Sequence, residues 1–150
     1  MLYSSPCEYA IRALTALALQ PGDRWVSVPV IAAEAHLPEP YLAKIFKDLV
    51  RNGTLRSMRG PGGGYRLARR ASDIRLLDVM AAIDGVAGLD RCAVGLDPCS
   101  DETPCPLHEE FKRVRETIRS YLTSTTIEDL ATGVREKRAL LSAGGRIGQE

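Results

Sequence analysis

No stretch of this chain stays apolar for the roughly 18 residues that a bilayer-crossing helix needs. Its N-terminus lacks the basic, then apolar, then small-residue order of a secretory leader, so the sequence reads as cytoplasmic, with no membrane partner. Structural disulfides are rare in that compartment, which leaves metal binding or redox chemistry as the usual roles of clustered cysteines. Histidine is scarce. His36 and His108 are the two in the chain, and no nucleophile–base–acid set forms around either, which argues against an enzyme. The glycine-rich run RGPGGG (59–64) lacks the Gly-Lys-Ser/Thr ending of a phosphate-cradling loop, so nucleotide binding is a poor reading. No internal repeat is present, and 150 residues with 45% hydrophobic content suffice for one domain with an appended helical arm.

What is there begins with charge. Residues 1–70 hold ten Lys and Arg against five Asp and Glu, whereas residues 71–150 hold ten against fourteen. The net charge of +1 therefore hides a basic front half and an acidic back half, and a basic end is what would meet a polyanion.

Periodicity then divides the chain. CEYAIRALTALAL (7–19) has apolar residues at helical spacing and is stopped by Pro21-Gly22. A short helix follows over 28–35, with Ser27 as its N-cap. Residues 36–39 form a turn of the length that joins two helices of a helix-turn-helix. In PEPYLAKIFKDLVRNG (38–53), Leu42, Ile45, Phe46 and Leu49 share one face and Lys44, Lys47 and Arg51 the opposite one. Asn52-Gly53 ends that helix with residues tolerant of positive φ. Residues 54–69 change to two short runs around the glycines, the pattern of a β-hairpin with a basic tip. Ser72 then caps a helix over about 74–83. From Gly85 to Pro106 periodicity fails. Phe111, Val114, Ile118 and Leu122 recur near a heptad spacing in a helix over 107–122, and Thr126 with Asp129 marks a helix restart.

The fold expected is mainly α with a small β-hairpin: a winged helix-turn-helix domain plus a long dimerisation helix. Its parts are a DNA-binding domain (1–84), a cysteine-rich loop (85–108), a dimerisation helix with a C-terminal helix (107–135) and a flexible tail (136–150). The partners expected are double-stranded DNA, through a palindromic operator, and a second copy of the chain. A single winged helix reads too few bases, and two half-sites would supply specificity. Glu39 and Tyr41 sit where a recognition helix reaches base edges, with Lys44, Lys47 and Arg51 along it. Ser27 belongs to the same DNA-facing set. Arg56, Arg59, Arg66, Arg69 and Arg70 crowd the wing, whose tip, Gly60, Pro61, Gly62, Gly63 and Gly64, lets it lie along phosphates or in a minor groove.

The loop RCAVGLDPCSDETPCPLH (91–108) brings three thiols into a segment that Gly and Pro keep irregular. Six residues separate Cys92 from Cys99, five separate Cys99 from Cys105, and two separate Cys105 from His108. Thiolates on a wrapping loop suit an iron–sulfur cluster. Structural zinc usually brings paired CxxC knuckles, which are absent. Free thiols or a regulatory disulfide are the plainer alternative. Cys7, far away in sequence, reads as a half-buried residue of the first helix. Asp90, Asp97, Asp101 and Glu102 make the loop acidic.

Taken together, MRGPGGGYRLAR, PYLAKIFKDLVRNG, EYAIRALTALA and the spacing Cys92…Cys99…Cys105-Pro-Leu-His108 resemble the IscR/NsrR family of bacterial winged-helix regulators over about residues 1–132. That resemblance implies a homodimeric transcription factor sensing iron–sulfur cluster status, nitric oxide or redox state. Cys92, Cys99 and Cys105 look like the three cluster thiolates. His108 resembles the histidine ligand of IscR-like proteins, whereas Glu8 sits where NsrR-like proteins bring a carboxylate from the other subunit. Histidine ligation goes with 2Fe–2S, which is slightly favoured, and the carboxylate with 4Fe–4S. The chain departs from the IscR-like spacing by one extra residue between the first two cysteines. The alternative reading is a cluster-free regulator of the same fold, sensing a small metabolite or, through its thiols, oxidants.

Overall fold

The computed structural model describes residues 2–96 and 98–144. Asp97 and the last six residues of the expected tail lie outside them. The element order is α1 (Ser5–Leu19), α2 (Val28–Ala35), α3 (Glu39–Arg51), β1 (Leu55–Met58), β2 (Gly64–Leu67), α4 (Leu76–Ile83), α5 (His108–Ser124) and α6 (Ile127–Gly144), with 3₁₀ turns at Ala71–Asp73 and Ala87–Asp90. This is the expected mainly α fold with one hairpin.

α1 runs through the middle of the molecule and packs against α2, α3, α4 and α6. Its start is set by Ser4, whose hydroxyl accepts the Cys7 N–H at 3.2 Å. Small and aliphatic residues, Ala10, Ala13, Leu14, Ala16 and Leu17, let its neighbours approach closely. α2 ends at His36, a non-glycine residue in the left-handed region (φ 53°). Arg12 of α1 donates from Nη2 to the carbonyls of Ala35 (2.6 Å) and His36 (2.9 Å), placing a cation on the negative end of that helix. Leu42, Ile45, Phe46 and Leu49 of α3 are all buried, as their spacing requires. α3 stops in a left-handed Gly53 (φ 78°), with the Thr54 N–H donating to the Leu49 carbonyl at 2.9 Å. Of the Asn52-Gly53 pair that ends the helix, Gly53 takes the positive φ and Asn52 stays right-handed.

β1 and β2 pair antiparallel with Leu55 opposite Leu67 and Met58 opposite Gly64. A third backbone joins them: Val26 and Tyr65 exchange N–H···O bonds of 2.9 and 2.8 Å. Gly64 has φ 144°, and a Cβ there would lie 2.2 Å from the Val26 carbonyl oxygen, so the hairpin can dock only with glycine at this position. The Tyr65 ring meets Phe46 at 4.6 Å between centroids and ties the wing to the core.

Two local expectations are corrected. Ser72 does not cap the fourth helix: it lies in the 3₁₀ turn, and α4 starts at Leu76 with Arg75 as N-cap, the Arg75 N–H donating to Asp78 at 3.0 Å. The cause is long-range. Residues 74 and 75 are extended because this segment pairs with the α5–α6 junction, the Ile127 N–H donating to the Ile74 carbonyl (2.9 Å) and the N–H of Leu76, the first residue of α4, to the Thr125 carbonyl (3.0 Å). The second correction is at the end of the chain, where α6 continues to Gly144 through residues read as a flexible tail. Its start matches the expected restart, with Thr126 Oγ1 accepting from Asp129 N–H (3.2 Å) and Asp129 accepting from Thr126 N–H (2.8 Å). Among the described residues no helix is long and apolar enough to cross a membrane.

Candidate functional site

α3 and the wing expose one basic surface. Glu39 and Tyr41 stand at the exposed start of α3, Tyr41 supported edge-on by the Tyr9 ring at 6.1 Å. Lys44 and Lys47 are exposed and have no side-chain partner among the described residues, while Arg51 pairs with Asp48 at 3.3 Å. Arg56 and Arg59 are likewise exposed and unpaired among the described residues. The other three wing arginines are engaged. Arg66 lies over Trp25 at 4.4 Å and bonds Asp23, Arg69 pairs with Asp78 at 3.6 Å, and Arg70 pairs with Asp73 at 3.1 Å. The expected crowd of five wing cations thus narrows to Arg56 and Arg59. Gly60, Pro61 and Gly62 form the exposed tip, closed by a Gly63 N–H to Gly60 carbonyl bond of 3.0 Å, with Gly63 and Gly64 half-buried beneath. Ser27 occupies the N-cap position of α2 but makes no side-chain capping bond. Ser27 is exposed and follows Val26, the residue that bridges to Tyr65 of the wing.

The cysteine loop is built differently. Leu89 in the 3₁₀ turn is buried in the core and anchors one end, and the N-terminus of α5 anchors the other. Cys7, Cys92, Cys99 and Cys105 are all free thiols. The loop donors fall into two pairs: Cys92 Sγ lies 3.8 Å from Cys105 Sγ, and Cys99 Sγ lies 3.4 Å from Nδ1 of His108. His108 is buried, and its backbone N–H donates to the Cys105 carbonyl at 2.9 Å. Its Nε2 faces Asp101 Oδ1 at 2.8 Å, and Lys112 donates to both Asp101 oxygens at 2.8 and 3.0 Å. The Lys112 ammonium, followed by His108, holds the Asp101 carboxyl below the usual carboxylate range.

Arg115 completes the floor. Its Nη2 donates to Cys99 Sγ (3.4 Å) and to the Arg91 carbonyl (3.2 Å), its guanidinium lies 5.3 Å from the Phe111 ring centre, and its Nε is buried with no partner among the described residues. Arg119 bonds Asp90 one turn further on. Lys112, Arg115 and Arg119 follow His108 at the i+4, i+7 and i+11 positions, so one face of α5 grips the loop. That face is legible in the spacing of the charges and borders the apolar stripe of Phe111, Val114, Ile118 and Leu122.

The described residues with three or more ligand atoms within 4.8 Å of one another are Asp101, His108 and Glu109, with no thiol among them. The four sulfur and imidazole donors therefore do not close into a cage for one ion. Glu8 stays on α1 and pairs with Arg12 at 3.5 Å. Cys7, expected half-buried, is fully buried, and its thiol is pushed up to about 12 by burial and by neighbouring Asp84.

The α5 stripe is split between two environments. Leu122 is fully buried, Phe111 and Ile118 are half-buried, and Val114 and Tyr121 are 50% and 41% exposed. Tyr121 reaches Tyr3, whose hydroxyl is pushed up to about 12 by burial and by that hydrogen bond.

Residues 3–133 match the model of the Rrf2 family, described as an iron-dependent transcriptional regulator. The chain is 33% identical over 130 residues to the HTH-type transcriptional regulator IscR of Xenorhabdus nematophila, covering 87% of this chain and 79% of that one. Among solved structures it is similar to CymR, the global cysteine regulator of B. subtilis, at 29% identity and a TM-score of 0.70, covering 86% of this chain and 95% of that one. It is similar to T. potens IscR at 28% identity, with the same TM-score of 0.70 and coverages of 89% and 88%.

Proposed function

Because the chain belongs to the Rrf2 family of transcriptional regulators, we propose that it is a homodimeric DNA-binding regulator whose cysteine loop holds an iron–sulfur cluster and senses cluster status, nitric oxide or redox state through it. The observation that carries this reading is the two-by-two arrangement of donors, Cys92 with Cys105 and Cys99 with His108. A 2Fe–2S centre takes two protein donors on each iron, and imidazole can replace thiolate there. This arrangement favours His108 over the partner subunit's Glu8 as fourth ligand, and 2Fe–2S over 4Fe–4S. It also disfavours zinc, which would need its four donors around one ion. Similarity to IscR proteins supports an iron–sulfur cluster as the group held, whichever its type.

Bound there, the cluster would supply an iron–sulfide centre that nitric oxide, oxygen or iron scarcity removes. The chain's own residues convert that into a DNA response. Lys112, Arg115 and Arg119 tie residues 90–101 to α5, so the loop's order is passed to that helix. Val114, Ile118 and Tyr121 offer the apolar surface on which two α5 helices pack. Two recognition helices then fit half-sites about 34–36 Å apart on a palindromic operator, and a small rotation at α5 takes one of them off its groove. Glu39 and Tyr41 face base edges. Ser27, Lys44, Lys47, Arg51, Arg59 and the exposed 60–62 tip, seated on Gly63 and Gly64, contact phosphates or the minor groove.

A second reading rests on the 3.8 Å approach of Cys92 and Cys105: a cluster-free regulator in which oxidants join these thiols, in keeping with similarity to CymR. Anaerobic purification separates the two. The cluster reading expects brown protein with equal iron and sulfide, and a colourless Cys92→Ala/Cys99→Ala/Cys105→Ala variant. A properly folded dimer that binds no iron after reconstitution with iron and sulfide overturns it.

A further inference from the structure

We infer that Asp101 is a positioning residue for the cluster site: clamped by Lys112, its carboxylate engages Nε2 of His108, so that Nδ1, on the side of Cys99, is the ligating nitrogen. The inference rests on the cluster reading above and adds to it which atom binds and what orients it.

An ionised carboxylate only accepts hydrogen bonds, so the Nε2 that faces Asp101 Oδ1 at 2.8 Å must carry the ring proton. A neutral imidazole has one such proton, which leaves a bare lone pair at Nδ1, 3.4 Å from Cys99 Sγ. Metal-bound histidines characteristically give their second nitrogen to a carboxylate or carbonyl, which fixes both tautomer and ring plane. The His108 side chain is 5% exposed, whereas that of Asp101 is 69% exposed, so the clamp closes the site from its solvent side. An exposed aspartate alone would swing freely. Here the Lys112 ammonium bonds both of its oxygens, and Lys112 stands one helical turn after His108 on α5. The clamp also spans the structure: Asp101 lies between Cys99 and Cys105, so it links the middle of the ligand loop to the helix that carries the fourth donor. With Lys112 on Asp101, the trio of exposed Asp101, buried His108 and exposed Glu109 is not a separate ion site.

The scarcity of histidine makes the test direct. With His36 exposed at the end of α2 and His108 buried, ¹⁵N-imidazole spectra contain two ring systems, assigned with His108→Ala. In the reduced apoprotein, at a pH where both rings are neutral, His108 is expected as the Nε2–H tautomer. Asp101→Ala should convert it to a mixture, and Asp101→Asn, whose amide oxygen still accepts, should restore it. In reconstituted protein, histidine labelled at Nδ1 should couple to the reduced cluster in pulsed EPR. Asp101→Ala should shorten cluster lifetime against a chelator about tenfold or more, and Lys112→Met should shorten it less. Thermal melting of each variant shows whether it is folded, and Lys112→Met tests the clamp without touching the His108 partner. An Nδ1–H tautomer in the wild type, or an Asp101→Ala protein matching wild type in both tautomer and chelator lifetime, overturns the inference. Wild-type protein that takes up no iron overturns the cluster reading and the ligating role together, while the tautomer still reports whether Asp101 orients the ring.

Discussion

The DNA-reading half and the cysteine loop are ordered by different forces. In the first, α1, α3, α4 and the wing share one apolar core, with Phe46, Leu14, Leu55 and Ile74 almost wholly out of water. Burial on that scale specifies a fold without help from a ligand. The segment from Leu89 to His108 puts Leu89 and Cys92 at the edge of the core, and its remaining order comes from polar side chains, mainly Asp101, Lys112, Arg115 and Arg119. Exposed ion pairs of this kind are each worth at most about 1 kcal/mol. A segment held so lightly would gain much of its order from a group bound by its thiols and imidazole, as the proposed sensing role requires.

The contrast can be broken by mutation. Phe46→Ala should cost about 3–5 kcal/mol in chemical denaturation, because it empties the junction of α3 and the wing. Cys99→Ala should change unfolding by only about 0.5 kcal/mol while abolishing iron retention. Equal costs at the two sites would contradict the division. Gly64→Ala should come next, at about 1–3 kcal/mol, since its Cβ meets the Val26 carbonyl at 2.2 Å. The same variant should weaken operator binding in a fluorescence anisotropy titration by displacing the wing. Lys47→Ala should leave stability within about 0.5 kcal/mol but lower the slope of log affinity against log salt by about 1, without altering sequence preference.

The smallest effect at neutral pH belongs to Cys7. Its thiol ordinarily ionises near 9.0 and is raised to about 12 in the folded chain. The unfolded state therefore loses this proton first. Cys7 contributes no pH dependence well below 9.0, and stability falls as pH rises from there towards about 12. Cys7→Ala should flatten that decline in urea melts across alkaline pH, and an unchanged profile would contradict the burial argument.

The two halves also differ in how far they were legible. Repeating apolar positions named the buried face of α3 residue by residue, and the glycine run located the wing. What escaped depended on partners distant in sequence: Val26 joining Tyr65, and Ile74 and Leu76 pairing with the α5–α6 junction. The latter overrode the local cap signal at Ser72. Arg66, Arg69 and Arg70 looked like DNA-facing cations until Asp23, Asp78 and Asp73 were seen beside them. In the loop, residue chemistry identified the donors, but the pairing of Cys99 with His108 and the roles of Asp101 and Arg115 depend on how the chain folds back onto α5.

Anaerobic native mass spectrometry of the reconstituted dimer probes the central idea most directly. The account expects each chain to gain the mass of two irons and two sulfides, with that adduct lost in the triple cysteine variant and destabilised in His108→Ala. A folded dimer that gains no mass, or a 4Fe–4S adduct that is indifferent to His108→Ala and lost in Glu8→Ala, would contradict it.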